Sequence, residues 1–98
     1  MLKIEYSKKA EFDLEDIADF IAKDSKNRAL SYLSKMQELI ELISQNPNLG
    51  IACSSKNIKL KCRILIFEAY LIFYKVIEKS VLIIRILHSS VNYKKILV

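Results

Sequence analysis

One stretch constrains this chain more than any other, RILIFEAYLIFYKVIEKSVLIIRILH, Arg63 to His88. It contains three apolar runs separated only by Glu68-Ala69 and by Glu78-Lys79-Ser80. Ile, Val, Leu, Phe and Tyr dominate each run, and these residues suit a pleated surface. Each run is about one strand long and each gap about one hairpin loop. The stretch therefore predicts an antiparallel meander. Arg63 opens it, and Arg85 and His88 close it.

Upstream, the periodicity changes. Leu2, Ile4 and Tyr6 alternate with Lys3 and Glu5, a short strand signal. Ser7 follows as a candidate N-cap. Glu11, Asp13, Glu15 and Asp16 load the early helix with negative charge, which its dipole favours. Ala10, Leu14, Ile17, Ala18 and Ile21 recur at helical spacing, and the helix should stop near Lys23-Asp24. Asp24 or Ser25 can cap a second helix. Its stripe is Ala29, Leu33, Met36, Ile40 and Ile43, widened by Leu30, Leu39 and Leu42. Asn46-Pro47 ends it, because proline disfavours helix in the residue before it. The two helices, closely linked, predict an antiparallel hairpin.

Pro47 to Gly50 reads as a turn and Ile51 to Asn57 as irregular chain. From Ile58 to Ile64 the pattern alternates again. Ile58, Leu60, Cys62 and Ile64 point one way, and Lys59, Lys61 and Arg63 the other, which predicts a strand with three cations on one face. The tail 89–98 carries Val91, Ile96 and Leu97 and reads as a short helix or an added strand. The expected fold is α+β, ordered β-α-α-β-β-β, with the helical hairpin on one face of an antiparallel sheet. The other face, with its cations, is left to solvent or a partner.

Ninety-eight residues suffice for a single domain, spanning 1–98. Cys53 and Cys62, nine positions apart, match neither a zinc motif nor a thioredoxin motif. They read as two thiols of a protein in a reducing cytoplasm. No apolar h-region opens the chain, and no apolar run approaches the roughly 20 residues of a membrane span. No cofactor loop, metal cluster or activated nucleophile is evident. The net charge is +5, unevenly spread. Residues 1–50 carry seven Lys/Arg against nine acids, a balance of −2; residues 51–98 carry nine against two, a balance of +7. Such asymmetry suits an acidic partner or nucleic acid, although lysines on a solvated sheet face also serve solubility.

With these elements in order, the sequence resembles the RelE/ParE superfamily of toxins from bacterial type II toxin–antitoxin modules. Four segments carry the likeness: AEFDLEDIADFI in the first helix, NPNLG after the second, RILIFEAYLIFYKV in the sheet and IIRILH before the tail. The long helices and the NPNLG turn are closer to the ParE branch. That resemblance implies a protein that binds and inhibits DNA gyrase without catalysis and is neutralised by an acidic cognate antitoxin. The RelE branch instead implies a nuclease that cuts messenger RNA in the ribosome. A third implication is a non-toxic relative that keeps antitoxin binding. The superfamily often ends its last strand in His-x-x-Arg-Asp; here His88-Ser89-Ser90-Val91-Asn92 replaces the charged pair with valine and asparagine. Loss of a guanidinium removes a bidentate phosphate contact and weighs against the nuclease.

Under the resemblance, target binding falls to Lys59, Lys61, Arg63, Arg85 and His88. A RelE-like nuclease would use Lys59, Lys61 and Arg63 as cations, His88 or Glu68 for proton exchange, and Tyr93 for stacking or proton donation. Each has a structural alternative: an ion pair from Arg63 to the helical hairpin, a hydrogen-bonded strand end for His88, tail packing for Tyr93. Tyr70 and Tyr74 read as structural. The antitoxin is expected to fold over apolar side chains drawn from Leu30, Leu39, Leu42, Leu49 and Ile51.

Overall fold

A computed structural model describes residues 1–97; Val98, the last residue of the tail segment, lies outside them. The chain runs β1 (Lys3–Tyr6), α1 (Lys8–Ala22), α2 (Lys26–Gln45), β2 (Ile51–Ala52), a 3-10 turn (Cys53–Lys56), β3 (Arg63–Phe67), β4 (Tyr70–Ile77), β5 (Ser80–His88) and α3 (Tyr93–Ile96). The five strands form one sheet in the order β1-β5-β4-β3-β2. This is the α+β class expected, with the helices preceding the meander. The sheet is mixed, however, because β1 lies parallel to β5, Lys3 opposite Ser80 through Tyr6 opposite Ile83. Local alternation marked β1 as a strand but carried no information about its distant neighbour. Among the described residues, no helix is long and apolar enough to cross a membrane.

The caps fall on serine. Ser7 Oγ accepts from Ala10 N at 3.0 Å and donates to Ile84 O at 2.7 Å, so one hydroxyl caps α1 and ties it to β5. Of the two candidates for the second cap, Ser25 is the one used, accepting from Arg28 N at 3.2 Å. Both meander turns are two residues long, with Glu68 at φ 52° and Glu78 at φ 54°. Between β4 and β5 the pairing runs Phe73 with Arg85, then Tyr74 with Ile83, which leaves Ile84 as the extra residue of a bulge.

Two apolar cores result, one on each face of the sheet. Under the helical hairpin, Ala10, Ile17, Met36, Ile40 and Ile43 meet Leu65, Ile72, Tyr74, Val81, Ile83 and Ile86. Here the helical stripes pack as their spacing predicted. The second face is not left open. Cys53, Ile58, Ile64, Phe73 and Leu87 are buried there, with Leu60, Cys62, Tyr93 and Leu97 packed against them. The covering layer is the irregular segment 53–62 together with α3, the helix alternative for the tail.

Two expectations are corrected at this layer. Residues 58–62 are not a strand, since β3 begins only at Arg63. Asn57 turns the chain in the left-handed region at φ 58°, and the segment folds back over the sheet instead of pairing along it. Its alternation is nevertheless genuine, because Ile58, Leu60, Cys62 and Ile64 do share one burial, against the second face. Nor are the cysteines free thiols: Cys53 and Cys62 form a disulfide, with Cα atoms 5.2 Å apart. The hydrogen bond from Cys53 N to Cys62 O, 2.8 Å, brings the two backbones to bridging distance.

Candidate functional site

Four cations surround a cleft of about 430 Å³. Lys59, Lys61, Arg63 and Lys75 line it, with Cys62 and Tyr74. Lys59 and Lys61 come from the folded-back segment, Arg63 from the start of β3 and Lys75 from β4. The three cations read from alternation are thus brought together by a loop and a strand end, not along one strand face. Lys75 was missed, because within β4 a single lysine among apolar residues gives no signal of its own. Among the described residues the ion pairs are Lys3–Glu5 and Arg85–Asp13, so no described carboxylate neutralises the cleft.

Arg63 is the anchored member. It faces Tyr74 across the β3–β4 ladder, on the hairpin side of the sheet. Its Nη1 donates to Gly50 O in the turn after α2, at 2.6 Å. Its partner is therefore a backbone carbonyl, not a carboxylate of the hairpin. The fully buried Tyr74 holds the same turn from below. Its hydroxyl accepts from Gly50 N and donates to Pro47 O, both at 2.8 Å. Burial pushes the Tyr74 phenol above 10.0, partly offset by the Gly50 N–H and the Arg63 charge. Gly50 allows this close approach: a Cβ there would lie 2.6 Å from Ile64 O and 2.9 Å from the Tyr74 ring. The NPNLG segment is thereby a fixed wall of the cleft.

Arg85 is committed elsewhere. Its Nε and Nη2 donate to the two carboxylate oxygens of Asp13 at 2.8 and 2.9 Å. That hydrogen bonding raises the Arg85 pKa, against the opposing effect of burial. Asp13 also accepts from Ile86 N at 2.9 Å. β1 ends opposite Ile83, so beyond that point β5 has no strand neighbour on this side, and the helix carboxylate takes its N–H. Asp13 is 72 positions from Arg85, and sequence spacing gave no hint of the pair.

His88 and Tyr93 are apart from the cleft. His88 is exposed; its Nδ1 accepts from Ser90 N at 3.1 Å and lies 2.7 Å from Ser90 Oγ. Its ring meets Tyr70 edge-on at 5.4 Å. With Phe20, Tyr32 and Tyr70 it lines a second, apolar cleft of about 440 Å³ beside α1. Tyr93 packs on Phe73 at 5.6 Å in the second core. Glu68 is an exposed turn residue. The acid–base groups and the cations of the nuclease reading therefore do not converge on one cavity. Val91 is exposed beside His88, and Asn92 precedes α3.

The apolar side chains expected to meet an antitoxin divide. Leu30, Leu42, Leu49 and Ile51 are exposed. Leu39 is half-buried and packs on the hairpin core. Phe12 and Phe20, exposed on α1 by 55% and 69%, were overlooked because their positions fall off the core stripe.

The fold is thus a helical hairpin against a five-stranded sheet, with a basic cleft beyond its second helix that no described carboxylate neutralises. A solved structure described as a chromosomal ParDE TA system from P. aeruginosa shares this fold, with a TM-score of 0.73 and 23% identity, covering 90% of this chain and 96% of that one. No curated protein matches the sequence. The family model for the ParE toxin of the type II toxin–antitoxin system, parDE, matches residues 4–93. This chain belongs to that ParE toxin family and is the toxin component of a type II module.

Proposed function

We propose that this toxin inhibits DNA gyrase by binding it in the cytoplasm, and that an acidic cognate antitoxin neutralises it. The family match over residues 4–93 carries the reading. The basic cleft is consistent with it: Lys59, Lys61 and Lys75 have no described counter-charge and offer electrostatic attraction to an acidic surface. A binding inhibitor needs no acid–base constellation, and His88, Tyr93 and Glu68 are dispersed over the fold. That dispersion, with Val91 in place of the family's arginine, disfavours a ribosome-dependent messenger RNA endonuclease. Supercoiling of relaxed plasmid by gyrase, with the purified toxin titrated in, tests the proposal. Inhibition at stoichiometric toxin is expected, relieved by the antitoxin. Untouched gyrase at large molar excess, with cuts in ribosome-bound message by primer extension, would replace it with the nuclease. Normal growth on expression without antitoxin would identify a non-toxic relative.

A further inference from the structure

The function just proposed makes no use of the disulfide, yet the disulfide closes the segment that supplies half the cations of the cleft. Cys53 is fully buried in the second core, whereas Cys62 is partly exposed and lines the basic cleft. Lys61 and Arg63 flank Cys62 in the chain, and Lys59 lines the same cavity. The segment's further hydrogen bonds include Cys53 N to Cys62 O, Asn57 N to Ser54 O, Ile58 N to Cys53 O and Ser55 Oγ to Ala52 O. Ile58 and Leu60 pin it to the sheet.

We propose that Cys53–Cys62 is a regulatory bond, opened through the basic cleft by an anionic low-molecular-mass thiol. The cations draw the incoming thiolate to the partly buried Cys62, which lines their cleft. The thiolate forms a bond to Cys62 Sγ while the Cys62–Cys53 bond breaks, and the departing pair stays on Cys53 Sγ, which takes up a proton. A second thiolate then attacks the small molecule's sulfur, and Cys62 leaves as a thiolate beside Lys59, Lys61 and Arg63. The protein disulfide gains two electrons, and two small thiols become one disulfide. Opening the bond loosens residues 53–62, so the reduced toxin of the cytoplasm grips its target more weakly than the oxidised toxin, and oxidation tightens the cleft; this consequence rests on the cleft being the gyrase-binding surface proposed above.

The test uses the full oxidised chain and compares reduction by glutathione, which is anionic, with reduction by cysteamine, which is cationic. The same ratio measured in urea supplies the reference. In the native chain the glutathione-to-cysteamine ratio should exceed the urea value by about tenfold at low salt and fall to it near 1 M salt. The trapped adduct should map to Cys62. Amide exchange at Asn57 and Ile58, the hydrogen-bonded amides of the segment, should then quicken in the reduced protein by a larger factor than at Ile40 and Ile72, and the melting temperature should fall by roughly 10 °C. The Cys53→Ser/Cys62→Ser double variant should copy the reduced state; if it does not fold, the reduced wild type provides the same comparison. A rate ratio equal to that in urea, an adduct on Cys53, or unchanged exchange across 57–62 would each overturn the proposal.

Discussion

The two faces of the sheet are both apolar, yet they are covered by opposite means. One is closed by two regular helices whose stripes repeat every three or four residues, with buried side chains such as Met36 and Ile40 fully removed from water. The other is closed by an irregular segment, a disulfide and a four-residue helix, with Leu60 and Tyr93 only partly buried. The regular face has the larger core, eleven buried residues among those described against five on the other, and so carries more of the stability. The irregular face carries the free charge, because a folded-back loop can set lysines round a cavity without pairing them. Stability and charge thus reside in different layers, and substitutions should separate them.

The largest effects should come from the hairpin face. Met36→Ala empties a fully buried site and should cost about 2–5 kcal/mol in denaturant unfolding, whereas Leu60→Ala, partly exposed, should cost roughly 1 kcal/mol. Equal losses would mean that the two faces share the load.

Next in size is the Asp13–Arg85 pair. Asp13→Ala strands a half-buried guanidinium and frees Ile86 N, for about 3 kcal/mol. A loss below about 1 kcal/mol would show the pair to be solvent-screened.

Tyr74→Phe should cost about 1–2 kcal/mol, since Gly50 N and Pro47 O both lose their partner. It also has a pH signature. Burial raises the Tyr74 pKa above 10.0, so the unfolded chain loses its proton first as pH rises. The stability contributed by this phenol is complete below pH 10 and is lost as pH climbs through the folded value. Tyr6, likewise raised by burial, adds to the same alkaline loss. Unfolding followed from pH 8 upward should show a shallower decline in the Phe variant than in the wild type.

Smallest of all, Lys59→Gln with Lys61→Gln should leave stability unchanged or raise it by a few tenths of a kcal/mol, by relieving repulsion in the cleft. A clear loss would make these lysines structural.

Much of the hairpin face was legible in the sequence. Ser7, the core stripes of both helices and the three runs of the meander signal themselves locally, through capping and periodicity. The second face was not legible. Alternation in 58–64 identified side chains that share a burial, but the same pattern fits a strand and a segment folded across a sheet. Only Asn57 and the cysteine pair decide between them, and a spacing of nine does not distinguish two thiols from a disulfide. Arg85 shows the same limit from another side. Its place at the end of β5 suggested target binding, and its carboxylate partner lies in the first helix. For the site, Lys59, Lys61 and Arg63 were found to line one cleft, Lys75 joined them, and His88 lay beside a different cavity.

The toxin is proposed to engage gyrase with the basic cleft that the folded-back segment forms with the ends of β3 and β4 and the NPNLG turn. Supercoiling inhibition should therefore be compared between Lys59→Gln/Lys61→Gln and a control of equal charge, Lys8→Gln/Lys9→Gln, whose exposed lysines lie at the start of α1 outside that cleft. The cleft variant should inhibit at least tenfold more weakly, and the control should inhibit nearly as the wild type does. Equal inhibition by the two variants would contradict this proposal.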